Sequence, residues 1–180
     1  MIQTVKIPTE RVGVLIGKSG AMKEKLEAIS GVKLVIDSEE GDVTIDSTHS
    51  ADPAMALTVT NVVVAIGRGF SPQKAMLLLR ENYYIEIFDI RDYVGKRKES
   101  IVRMRARVIG SGGKTRQIVE ELTGAFMSVF GNTVALIGDD LQLDVAKRAV
   151  EMILCGSEHA AVYHFLEGSR RRLKVEEMGF

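Results

Sequence analysis

The chain has no tryptophan, and only four tyrosines and six phenylalanines among its 180 residues. That is too few aromatic rings for a surface that works by stacking successive planar groups. A single cysteine, Cys155, excludes an intrachain disulfide and removes the paired spacing of a zinc ribbon. It lies in the apolar stretch 149–155, where a buried structural thiol is expected, and it suits a reducing compartment. His49, His159 and His164 are too scattered for a common metal motif, so no metal, cofactor or catalytic group is expected. Basic and acidic residues balance at 24 each, which excludes a uniformly cationic tail. No apolar run approaches the roughly 18–20 residues needed to cross a bilayer. The segment from Met1 to Pro8 lacks the long apolar stretch of a signal peptide, so a soluble, cytoplasmic protein is expected.

What is present is a repeat. Leu15-Ile16-Gly17-Lys18-Ser19-Gly20 and Val108-Ile109-Gly110-Ser111-Gly112-Gly113 stand 93 residues apart. Each runs from an apolar pair into Gly-x-x-Gly and then into helical spacing. One such tetrapeptide is weak evidence in a chain with 17 glycines. At the same offset, however, Lys23 meets Arg116, Leu26 meets Val119, Glu27 meets Glu120, Ile29 meets Leu122 and Gly31 meets Gly124. A register held over so many positions is the signature of a duplicated unit. The length fits two domains of about 80–90 residues, with boundaries expected at 1–80 and 81–180.

The order of elements repeats as well. Ile2 to Ile7 predicts a strand and Thr9 a cap for a helix over 10–16. A second helix is predicted over 21–30, with Met22, Leu26 and Ile29 on its buried face and Gly31 ending it. Strands follow over 32–36 and 42–46, then a helix from Asp52-Pro53 to Ile66. The second copy predicts a strand over 84–90, helices over 99–109 and 114–123, strands over 126–129 and 133–137, and a helix over 139–154. A connecting helix is expected over 70–80, and a further C-terminal helix over 158–174 ends in the basic cluster Arg170-Arg171-Arg172.

Charge is unevenly placed. From Arg91 to Arg116 nine basic residues face only Asp92 and Glu99, and the run leads into the second glycine loop. That pattern points to a phosphate-binding surface. Gly112-Gly113-Lys114-Thr115 imitates the end of a nucleotide-binding P-loop, but the glycine that motif needs is replaced by Val108, and a helix rather than a strand precedes it. Asp139-Asp140 is accounted for by capping of the helix it opens.

Ile-Gly-x-x-Gly between two helices, the order β-α-α-β-β-α, and Gly31 or Gly124 after the second helix resemble the KH domain of the first topological type, twice over. The fold class this implies is α+β: two tandem type I KH domains packed together, with an extra C-terminal helix. Lys23 and Arg116 stand where most KH domains carry an apolar residue. With Gly112 to Arg116 and the late Ala161-Val162-Tyr163, they resemble the archaeal form of the partner-of-Nob family, KH-domain factors of small ribosomal subunit assembly. The resemblance implies single-stranded RNA as ligand, near the 3′ end of small-subunit ribosomal RNA. It further implies the Nob endonuclease and the alpha subunit of translation initiation factor 2 as partners.

The RNA-binding residues expected are Ile16, Gly17, Lys18, Ser19, Gly20 and Lys23 in the first copy. In the second they are Arg103, Arg107, Ile109, Gly110, Ser111, Gly112, Gly113, Lys114 and Arg116. Glycines let a sugar-phosphate chain approach the main chain, amides opening the next helix face phosphate, and flanking cations neutralise it. The second domain, flanked by more cations, is expected to dominate affinity. The competing reading is a KH-fold scaffold that binds protein partners and little RNA.

Overall fold

In Ile2–Lys6 and Asp42–Asp46 the side chains alternate in burial, as the two-residue period of a half-covered sheet requires. These strands, β1 and β3, pair antiparallel with Thr4 opposite Thr44. Strand β2 (Lys33–Ile36) pairs on the other side of β3, so the sheet runs β1-β3-β2. Helices α1 (Thr9–Ile16), α2 (Ala21–Ser30) and α3 (Met55–Gly67) complete the unit. Leu15, Leu26, Leu34, Ile45, Val59 and Ile66 are each fully buried, so every one of these elements except β1 contributes to one core. Each such side chain contributes about 1.5–3 kcal/mol.

The computed structural model describes residues 1–179. It divides into one unit over Met1–Glu81 and a second beginning at Asn82. The first unit closes with α4 (Pro72–Ala75) and a tight helical turn over Met76–Leu79 rather than one regular helix. Ser71 caps α4 through the Lys74 amide.

The second unit repeats the plan. Strands β4 (Tyr83–Asp89), β5 (Phe126–Phe130) and β6 (Thr133–Asp139) form an antiparallel sheet ordered β4-β6-β5. A short α5 (Arg91–Val94), which the sequence did not suggest, precedes α6 (Lys98–Ile109). Then come α7 (Lys114–Thr123), α8 (Asp140–Leu154) and α9 (His159–Glu177). Asp139 opens α8 with a reciprocal cap: its carboxylate accepts from the Gln142 amide, and Gln142 accepts from the Asp139 amide. No helix among the described residues is long and apolar enough to cross a membrane.

Several expectations need correction. Thr9 does not cap α1; Pro8 holds the extended cap position and Thr9 is already helical. Helix α3 starts at Met55, because Asp52 first turns the chain by accepting from the Ala54 amide at 2.9 Å. Ile29 is 54% exposed, whereas its counterpart Leu122 packs against the second core. The reason is α9, a nineteen-residue helix that lies along α7; in the first unit the short α4 and the turn after it share a groove with Met22 and Lys25 near the start of α2. Cys155 is exposed rather than buried, since α8 ends at Leu154 and the chain turns away.

Candidate nucleic-acid interface

The two glycine loops are built to one design. Gly17, Ser19 and Gly20 take φ 77°, 55° and 78°; Gly110, Gly112 and Gly113 take 78°, 60° and 79°. Left-handed backbone at three of four positions turns the chain tightly from α1 into α2, and from α6 into α7. The first glycine of each loop is required by packing. A Cβ at Gly17 would lie 2.7 Å from the Met22 backbone nitrogen, and one at Gly110 would lie 2.6 Å from that of Thr115. The later positions are different. A Cβ on Gly112 or Gly113 meets nothing within 4 Å, so these glycines border open space. Ser19 holds a left-handed conformation where the second loop has glycine.

Neither α2 nor α7 has a side-chain cap; Gly20 and Gly113 stand at the cap positions. The Ala21 and Lys114 amides instead return to the carbonyls of Lys18 and Ser111, which tightens each loop, and the next amides of each helix have no side-chain partner. Lys18, Lys114 and Arg103 are exposed, and Ile16 and Ile109 are half-buried beside the loops.

The structure divides the expected cations into two groups. Lys23 lies 3.3 Å from Glu27 and Arg116 lies 2.7 Å from Glu120, equivalent pairs one helical turn apart. Arg91 pairs with Asp89 at 2.7 Å. Arg107, expected to face phosphate, instead donates to the carbonyl oxygens of Ile153 and Ser157 and so closes the end of α8. Arg11 does the same for the first unit, donating to Ile66 and Phe70 at 2.8 Å each. Lys96, Arg97 and Lys98 stand at the opposite end of α6 from the loop, roughly 17 Å away for a twelve-residue helix. The basic run therefore does not converge on the loop as its linear order suggests.

Two supporting devices escaped sequence reading. Ser30 and Thr123 are buried hydroxyls that donate back to Leu26 and Val119 and accept from the amides of Val32 and Ala125. Each fixes the passage from the second helix to the next strand. The signal available was a hydroxyl residue directly before Gly31 and Gly124. The second device is confined to the second unit. His159 bonds the Arg107 carbonyl at 2.9 Å and Tyr163 bonds the Thr115 hydroxyl at 2.9 Å. The two rings stack at 12°. Helix α9 thus holds both ends of the second loop.

A glycine loop between two helices, in a unit with a three-stranded antiparallel sheet and present twice, defines a tandem KH protein. Residues 2–57 match the family described as KH domain, and residues 84–171 match the family described as eukaryotic-type KH domain, type I, of the Pno1 second-domain kind. A KH domain-containing protein of Methanocaldococcus jannaschii is 48% identical over 174 residues, covering 96% of this chain and 76% of its own. A solved complex of a/eIF2alpha, aDim2p and rRNA from Pyrococcus horikoshii contains a chain 43% identical, with a TM-score of 0.88 and 96% of each chain covered. The pre-rRNA-processing protein pno1 of Schizosaccharomyces pombe is 28% identical over 130 residues, which is 72% of this chain and 54% of that one. The chain belongs to the archaeal Pno1-like (Dim2) family of KH-domain RNA-binding proteins.

Proposed function

We propose that the chain is a non-catalytic single-stranded RNA-binding protein that acts on small-subunit ribosomal RNA, near its 3′ end, during ribosome assembly in the cytoplasm. The observation that carries this reading is the pair of matching loops, each with left-handed glycines opening onto an uncapped helix start. The solved archaeal relative in complex with rRNA supports the choice of RNA. The same relative supports the alpha subunit of translation initiation factor 2 as a protein partner. The Nob endonuclease is a further partner in this reading, supported by likeness to a pre-rRNA-processing protein.

The second domain carries most of the affinity in this reading, because α9 braces its loop and Lys114 follows it. Gly112→Asp should therefore weaken binding more than Ser19→Asp. Equal losses, or a larger loss from the first loop, would reverse the ranking. The decisive experiment is crosslinking in cell extract followed by sequencing of the attached RNA. Recovery of small-subunit rRNA ends is expected; messenger or transfer RNA would redirect the reading. Salt dependence separates it from a protein-binding scaffold. With about three phosphate contacts, the slope of log affinity against log salt is about −2 for a single strand. A fourfold rise in salt then costs roughly sixteenfold in affinity, whereas a scaffold's RNA binding would be absent or flat.

A further inference from the structure

Strand β5 is an edge strand, and the hairpin to β6 determines which of its backbone groups are unpaired by the sheet. Phe130 opposite Thr133 closes the hairpin, so Ser128 and Phe126 also pair inward while Met127 and Val129 turn outward. The outward Met127 amide is already taken: it donates to the Glu120 carboxylate at 3.2 Å. The other oxygen of that carboxylate accepts from Arg116 at 2.7 Å. The equivalent strand of the first unit is different. Asp37 donates to Asp42 at 2.8 Å, which by the same alternation turns Leu34, the counterpart of Met127, outward. There Glu27, the counterpart of Glu120, bonds no backbone amide, and its Oε1 pairs with Lys23 at 3.3 Å.

We propose that Glu120 makes the second groove selective for guanine, a step that rests on the RNA-binding reading above. An open edge offers a base one donor and one acceptor, which suits adenine or cytosine, each with an amino group beside a ring acceptor. With its amide closed, the β5 edge offers only acceptors: the Met127 carbonyl and the remaining lone pairs of the carboxylate. Guanine alone carries two adjacent N–H donors, at N1 and N2, on its pairing edge. Arg116, half-exposed beside Glu120, supplies a donor for the neighbouring O6. The first groove, where Glu27 pairs with Lys23 and leaves the Leu34 amide unbonded by a carboxylate, keeps the mixed edge. The two copies therefore read different bases.

The test uses the full chain carrying Ser19→Asp, so that binding reports the second groove. The probes are ten-nucleotide oligouridines with one central guanine, adenine or cytosine, followed by fluorescence anisotropy. The guanine oligomer should bind roughly tenfold tighter than the other two, and Glu120→Ala should reduce that preference to about twofold or less. Glu120→Gln should do the same while keeping an oxygen for the Met127 amide, which separates base reading from loss of fold. Unchanged guanine preference in Glu120→Gln, or a preference for adenine or cytosine before that change, overturns the proposal. Binding that disappears with Ser19→Asp alone also overturns it. Absence of RNA binding by the wild-type chain at low salt would instead remove the RNA-binding reading, and this proposal with it.

Discussion

The four-residue loops contain two kinds of glycine, and substituting alanine at each should separate them. Gly113 (φ 79°, ψ 13°) is left-handed helical, where a side chain costs about 1–2 kcal/mol; Gly110 (φ 78°, ψ 168°) lies in a region essentially confined to glycine, where it costs about 1–3 kcal/mol. Only at Gly110 is space also lacking. The added methyl would stand 2.6 Å from the Thr115 nitrogen, and Thr115 is 1% exposed with its hydroxyl bonded to Tyr163. It cannot retreat without breaking the brace, which adds about 1–3 kcal/mol of overpacking. Gly110→Ala should thus cost about 2–6 kcal/mol and Gly113→Ala about 1–2. Hydrogen exchange of the α7 amides in the full chain reads this local difference. RNA affinity separates the pair further. A methyl at Gly113 enters open space over the loop, and losing one charge-assisted bond to phosphate there costs about 1.5–3 kcal/mol, roughly ten- to a hundredfold. Equal protection losses in the two variants, or full RNA affinity in Gly113→Ala, would refute the division.

Two other perturbations test the same architecture. Ser19→Gly removes a left-handed non-glycine residue and should stabilise the first unit by about 0.5–1 kcal/mol, seen as slower exchange at the start of α2; unchanged or faster exchange contradicts this. Arg107→Ala should destabilise the second unit by about 1.5–3 kcal/mol by freeing the end of α8, yet leave the salt dependence of RNA binding unchanged. Lys114→Ala should do the reverse, lowering the salt slope by about 0.7 at little cost in stability. A shallower salt slope in Arg107→Ala would return that guanidinium to the RNA surface.

Local patterning made much of the fold readable. Helix α2 begins and ends where its glycines predict, because Gly20 and Gly31 both require left-handed backbone there. The repeat alone also locates both loops. What patterning could not reveal is where long side chains go. Arg107 and Arg103 are one helical turn apart and look alike in the chain, yet one is bound to the end of α8 and the other is exposed. That choice depends on carbonyls 46 and 50 residues away. Ile29 and Leu122 are equally placed on their helices, and only the presence of α9 distinguishes their burial. Glu120 was legible as a repeated acid but not as the partner of an edge amide, since that needs the register of β5 on β6.

Helix α9 bears on how fast and at what entropic cost each loop acts. The second loop has both shoulders held by side chains from a helix outside the duplicated core, so a strand arriving there has little motion left to quench. The first loop has a lysine at its tip and no counterpart of these two bonds. A helix outside the duplicated core thus holds the loop that has no lysine within it, and a complex formed there is set to leave slowly, with Lys114 beside the loop supplying its salt dependence.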